Sequence, residues 1–174
     1  HDLRKEMMPW LEKNVERALH NLHRNGDLYP THGLGPIAKI LDINRGNRFL
    51  SLVSMSTQAV GFRDAALEYF RDRPDKPRFD FKIGDVVTTL IKCANGQTIS
   101  LVHCISLPRP YSRNCRVQGT KGLWLEDANA IHIEGVSPTD EMLDAAGNPY
   151  WTHSWDPMEK FYAKYEHPIW QGYD

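Results

Sequence analysis

Tyr29 and His32 stand three residues apart in the stretch "NGDLYPTHGLGP", residues 25–36. Imidazole is the side chain that exchanges protons near neutral pH, with a reference pKa of about 6.5. A phenol donates a hydrogen bond to a sugar hydroxyl or, when perturbed, acts as an acid or base. The residues around the pair read as a fixed turn beside an expected helix start. Pro30 locks its own φ and biases Tyr29 toward an extended backbone, while Gly33 and Gly35 allow backbone or ligand to come close. Rigid loops are favoured places for functional side chains. A reading without chemistry stands beside this one, in which Thr31 caps a helix, Tyr29 packs and His32 is a satisfied polar group.

A second stretch, "SLPRPYSR" at 106–113, presents Tyr111 on a stiff segment flanked by Arg109 and Arg113. Pro108 and Pro110 cannot serve a central strand, so this is an edge or a strand end. It reads either as a surface loop with solvated arginines or as a tyrosine and a cation lining a polar-ligand cleft. His20 and His23 share a helix face, and His1 and Asp2 add further ligand types. No third ligand follows at a convincing spacing and the usual zinc helix pattern is absent, so no metal site is assigned. Cys93, Cys104 and Cys115 are equally spaced. A two-residue turn at Asn95-Gly96 sets Cys93 opposite Thr98 and Val87 opposite Cys104. Cys93 and Cys104 then lie roughly 20 Å apart along the sheet, too far for a disulfide or a shared metal. They read as small buried hydrophobes. There is no G-x-G-x-x-G, P-loop or G-x-S-x-G signature. Five tryptophans and seven tyrosines suit carbohydrate stacking, though most such rings are core.

The elements that must position these residues are legible in outline. The 174 residues suit one domain with a real core. A net charge of -1 offers no basic field for nucleic acid or an anionic membrane. No apolar run approaches the roughly 20 residues of a membrane helix. The spacing of Leu11, Val15, Leu19 and Leu22 predicts a helix over residues 2–23, interrupted or started by Pro9. "GPIAKILDI" predicts a short helix with Ile37, Ile40 and Leu41 on one side. "RFLSLVSMS" predicts a strand, and "AVGFRDAALEYFRD" a helix with Phe62, Ala66, Tyr69 and Phe70 inward. Residues 72–78 read as a charged, Pro-bearing loop. From Asp85 onward the character turns to β: the hairpin, then "SRNCRVQGT", "LWLED" and "AIHIEG" as further strands. A last helix is expected to start at Asp156, with Pro157 in its first turn and Glu159 three residues on. Helices first, sheet second and one helix last imply an α+β fold with helices on one face of an open, mainly antiparallel sheet.

The stretches "NGDLYPTHGLGPIAKILDINRGNRFLSLVSMSTQ" and "SLPRPYSRNCRVQGTKG", with "HDLR" at the start, resemble the C-terminal part of glycoside hydrolase family 109. These are NAD-dependent α-N-acetylgalactosaminidases of bacteria, a branch of the Gfo/Idh/MocA oxidoreductases. The resemblance implies a two-domain protein: an N-terminal Rossmann domain that binds NAD, and a C-terminal domain whose open sheet supplies much of the sugar site. Residues 1–174 would then be a single substrate-binding domain, a piece of that larger protein, which accounts for a chain opening on His1 rather than Met. Tyr29, Pro30, Thr31 and His32 look like the family's sugar-binding turn, with Tyr29 also near the cofactor. Tyr111 looks like a sugar-contacting tyrosine, and Arg17 falls where the family places a substrate-binding arginine.

The implied reaction oxidises the sugar C3 hydroxyl with NAD, removes the acidified C2 hydrogen, expels the group on C1, adds water and reduces C3 again. His32 is the expected acid/base, with Tyr29 as its partner or as the cofactor-facing donor. The implied substrate is an N-acetylgalactosamine-containing glycan. The exposed sheet face of the family commonly pairs subunits, and family members often carry export signals, so a periplasmic or exported location is as open as a cytoplasmic one. Two other readings remain: an NAD-dependent sugar dehydrogenase of the same superfamily, and a non-catalytic sugar-binding domain.

Overall fold

In the computed structural model, which describes residues 1–76, 78–137, 141–151 and 155–170, the amphipathic start of the chain folds as two helices rather than one. Helix α1 spans Arg4–Glu12 and α2 spans Glu16–His23. Pro9 lies inside α1 and does not end it. The break falls at Asn14, whose φ of 54° is in the left-handed region that Asn tolerates better than most residues. Val15, on the expected apolar stripe, sits at this break and is exposed, whereas Leu11 is buried.

Helix α3 spans Thr31–Ile40 and begins four residues before the expected "GPIAKILDI". Gly33, Gly35 and Pro36 weaken helix propensity and hide its first turn in the sequence. Pro30 is its N-cap, with no side-chain capping bond, so Thr31 is the first helical residue and not a cap. Leu34, Ile37 and Leu41 pack on Ile91, Cys93 and Ile99, while Ile40 turns out to solvent.

Strand β1 (Phe49–Ser56), β2 (Val87–Cys93) and β3 (Thr98–His103) form an antiparallel sheet in the order β1-β2-β3. Strand β2 alternates buried and exposed residues, but β1 is exposed throughout. The hairpin register differs from expectation by one residue. Lys92 pairs with Thr98, and Val87 pairs with His103 rather than Cys104. The loop has three residues, Ala94 to Gly96, closed by the Gly96 N–H on Cys93 O at 3.1 Å, with Gly96 at φ 94°. Three-residue hairpin loops of this kind end on a left-handed glycine. A one-residue slip exchanges the faces of a strand, so His103, not Cys104, joins the buried face.

Helix α4 (Gly61–Tyr69) completes the main core, where Met7, Met8, Leu11, Ala18, Phe62 and Phe81 meet. Burying each of the Met, Leu and Phe side chains stabilises by about 1.5–3 kcal/mol. Tyr69, expected inward, is exposed and lies edge-on to Phe70 instead. The start of α4 is held by Asp85, whose carboxylate accepts the N–H groups of Val60 and Gly61 at 2.9 Å and the Ser106 hydroxyl at 2.6 Å. Gly61 must be glycine here, because a Cβ would stand 1.9 Å from Ser106 O.

Residues 1–111 form one unit and 112–174 a second. In the second, β4 (Arg116–Gly119), β5 (Gly122–Leu125), β6 (Ala130–Ile133) and β9 (Asp156–Pro157) make one sheet, and β7 (Glu141–Leu143) pairs with β8 (Pro149–Trp151). Helix α5 spans Glu159–Tyr165. The predicted helix start at Asp156 is therefore three residues early: Asp156 and Pro157 pair with β6, and Met158 is the N-cap. Of the predicted charged loop, residue 77 lies outside the described residues, as does residue 154 before the last helix. The class is α+β with open antiparallel sheets, though the strands among the described residues divide into three sheets. Strand β3 ends at His103, and Pro108 and Pro110 lie in the non-strand segment that follows it.

Candidate functional site

The loop between α2 and α3 is pinned by two of its own side chains. Asn25 donates to Ser56 Oγ at 2.7 Å and accepts the Gly84 N–H at 3.1 Å. Asp27 accepts the Tyr29 N–H at 3.0 Å, an Asx turn that sets the backbone two residues ahead. Pro30 then starts α3, and His32 falls in the first helical turn. Side chains three apart on a helix start share a face. Tyr29 and His32 accordingly meet edge-to-face with centroids 5.0 Å apart, and the Tyr29 hydroxyl lies 3.5 Å from His32 Nε2. That is a long contact, at the outer limit of a hydrogen bond.

Arg17 reaches the same place from α2. Its guanidinium lies 4.9 Å from the Tyr29 ring centre and 5.6 Å from that of Trp10. A guanidinium held by two aromatic faces keeps its donors in a fixed plane. Arg17 and Tyr29 line a cleft of about 340 Å³ with Glu16, His20, Asn21 and His103 among its other walls. Glu16 and His20 pair across one helical turn at 3.4 Å, so His20 faces a carboxylate. Among the described residues no group of three or more His, Cys, Asp or Glu side chains could hold a metal.

The deepest ionisable pair beside the turn is Asp27 and His103, with His103 Nδ1 3.1 Å from Asp27 Oδ1 and side chains 8% and 13% exposed. Burial alone would raise the Asp27 carboxyl. The bond from His103 and the Tyr29 N–H outweigh it and hold the carboxyl below its ordinary value. The carboxylate that shapes the Tyr29 turn is thus the one that orients His103.

The structure joins Arg17, Tyr29 and His32 in one run of contacts. Pro30 and Thr31 shape the backbone between them. Tyr111 is 63% exposed and meets the His1 ring edge-on at 5.5 Å rather than lining the cleft. Sequence reasoning missed Trp10, Asn21, Asp27 and His103. Asp27, two residues before Tyr29 and next to a glycine, carried an Asx-turn signal. His103 was hidden by the hairpin register. A larger hollow of about 590 Å³ lies along α4, lined by Arg63, Arg71, Arg78 and Asp80 among others. It holds none of the residues singled out above, and Arg73 on its rim is tied to Asp75 and Glu12.

Comparison with known proteins adds the context. Residues 8–174 match the family described as "Glycosyl hydrolase 109, C-terminal domain". An "Alpha-N-acetylgalactosaminidase" of Tannerella forsythia is 45% identical over 154 residues, covering 88% of this chain and 30% of that protein. A "Glycosyl hydrolase family 109 protein" of Parabacteroides distasonis is 44% identical over the same length, with the same shares. An "Alpha-N-acetylgalactosaminidase" of Shewanella oneidensis is 40% identical over 173 residues, 98% of this chain and 36% of that protein. The chain thus spans about a third of the length of the curated relatives it matches. No described helix is long and apolar enough to cross a membrane. With the match running from residue 8 to the last residue, the chain belongs to the glycosyl hydrolase 109 family, in its C-terminal domain.

Proposed function

We propose that this domain supplies the sugar-binding and proton-handling half of an NAD-dependent glycosidase that cleaves N-acetylgalactosaminides. The observation that carries the reading is the contiguous set of Arg17 on α2 against Tyr29 and His32 on the pinned turn, with Arg17 and Tyr29 lining a cleft. The similar alpha-N-acetylgalactosaminidases of Tannerella forsythia and Shewanella oneidensis supply the substrate class.

The donor set suits a nicotinamide partner at one place. Tyr29 is 48% exposed on a fixed backbone, and its hydroxyl can face a bound cofactor or sugar. No glycine-rich phosphate motif occurs in the chain, so cofactor phosphate binding is assigned to the Rossmann half that the family resemblance implies. NAD, when bound, would remove a hydride from a sugar carbon and return it. The residues of this chain do the rest. Arg17 binds and orients a sugar oxygen through donors held in plane by Trp10 and Tyr29. His32 accepts or returns a proton at a sugar hydroxyl, and the Tyr29 hydroxyl beside its Nε2 shares that proton. Positioning of this kind is worth several kcal/mol when the geometry is right, and proton transfer by a placed group about 10²–10⁴-fold.

The test is made on the full-length protein. It is incubated with p-nitrophenyl N-acetyl-α-galactosaminide in D₂O, with product deuteration read by NMR and NADH by absorbance. Released nitrophenol, deuterium at C2 and no net NADH support the proposal. NADH accumulating from free sugar without bond cleavage moves the protein to the dehydrogenase reading. Turnover of His32→Ala within a few-fold of wild type removes the role given to His32.

A further inference from the structure

Two residues on the walls of one cleft each hold a buried polar atom with no hydrogen-bond partner among the described residues. Asn21 is 2% exposed; its Nδ2 donates to Arg17 O at 2.7 Å, and its Oδ1 has no hydrogen-bond partner among the described residues. His103 is 8% exposed, with Nδ1 against Asp27, and its Nε2 likewise has none. Buried polar atoms are almost always paired in native proteins, because an unmade bond costs stability. Two exceptions on the walls of a single cleft, which Arg17 and Tyr29 also line, point to a ligand.

The neighbours fix what that ligand must offer. Facing the Asp27 carboxylate, His103 Nδ1 carries the proton of that bond, which leaves Nε2 as the ring atom still to be bonded. The Asn21 amide is turned by its bond to Arg17 O, which leaves Oδ1 as a pure acceptor. Asn21 Oδ1 therefore calls for a donor and His103 Nε2 for a polar partner, whereas Arg17 and the Tyr29 hydroxyl bring donors to the same cleft. A polyol, whose hydroxyls both donate and accept, satisfies both sets at once. The cleft volume of about 340 Å³ suits a small ligand.

We infer that Asn21 and His103 form a two-point polar subsite that binds ring hydroxyls of the sugar, with Asp27 as the residue that positions His103. This rests on the sugar reading above. The subsite joins α2 to the end of β3, so it adds an inner wall to a site otherwise built on the α2–α3 loop.

The experiment measures Kd by calorimetry on the full-length protein for N-acetylgalactosamine and for its single-deoxy analogues. His103→Asn keeps a donor toward Asp27 and deletes the atom at Nε2; His103→Gln keeps a polar atom near the Nε2 position. The expected result is a Kd raised about tenfold or more in His103→Asn, partly recovered in His103→Gln, with melting temperatures of both near wild type. One deoxy analogue should lose little on the substitution, which identifies the bonded hydroxyl as a protein-to-ligand coupling. Asn21→Ala, measured the same way, should couple to a hydroxyl too. Equal losses for every analogue, or none, would overturn the subsite and assign the two atoms to bound water. A variant too unstable to measure is replaced by Asn21→Asp, whose carboxylate keeps the acceptor and should retain the same coupling; its loss counts against the subsite. Wild type binding no hexosamine overturns the sugar reading and the subsite together. Wild type binding with unaltered His103→Asn affinity overturns the subsite alone.

Discussion

Replacing Asp27 by Ala tests the frame on which the site depends. The carboxylate accepts two bonds, from the Tyr29 N–H at 3.0 Å and from His103 Nδ1 at 3.1 Å. Bonds to a charged acceptor are worth about 1.5–3 kcal/mol each, and a buried partner left orphaned costs a further share. Backbone relaxation recovers part of this, so the expected loss at neutral pH is about 3 kcal/mol, or roughly 6–12 °C in melting temperature. The pH dependence has a definite sign. The folded carboxyl titrates below its ordinary value of 3.8, so its contribution is full above that value and is lost as pH falls through the folded pKa. The gap between wild type and Asp27→Ala in urea midpoint should therefore shrink as pH drops below about 4. A loss under about 1 kcal/mol, or a gap that widens in acid, would refute the reasoning.

Four further outcomes follow from the geometry. Tyr29→Phe deletes the hydroxyl near His32 Nε2 and should lower kcat by about 10–100-fold with KM little changed in steady-state assays. Arg17→Lys replaces a plane held by two rings with a point charge, and should raise the sugar Kd about tenfold by calorimetry. Gly61→Ala drives a Cβ to 1.9 Å from Ser106 O and should cost about 3 kcal/mol in chemical denaturation, or prevent folding. Asp85→Ala strips the start of α4 of both N–H acceptors and the Ser106 bond, and should cost a similar ~3 kcal/mol in the same assay.

The Tyr29 and His32 pairing was legible in sequence because it is local. A spacing of three, a proline and a following helix place two side chains together without help from the rest of the chain. The α2 placement of Arg17 opposite Tyr29 came from family likeness alone, since the contact crosses a loop whose path depends on Asn25 and Asp27. His103 was lost to one hidden residue of loop. A two-residue turn at Asn95-Gly96 sends it outward, and the observed three-residue turn sends it inward to Asp27. Pro9 misled in the opposite direction: proline is the stronger helix breaker in isolation, yet α1 runs through it to Glu12 and the break falls at Asn14, between Leu11 and Ala18, which are both buried in one core. The interior of α3 was obscured by its glycines, because propensity is local and the helix is held by contacts with β2 and β3.

Asn47 is buried near the far end of α3. Its side chain donates to Leu41 O and Gln97 Oε1 and accepts the N–H groups of Arg48 and Asn95. It therefore fastens the last turn of the helix to the tip of the hairpin. The other end of the helix carries His32, and the other end of the hairpin carries His103, which Asp27 ties back to the turn before the helix. Helix and hairpin are thus linked at both ends, like the two rails of a closed frame. In such a frame one rail cannot fray alone, so the amides of α3, β2 and β3 should exchange hydrogen with a common opening free energy. A helix with two glycines and a proline, which would melt in isolation, then inherits the slow exchange of the sheet it is fastened to.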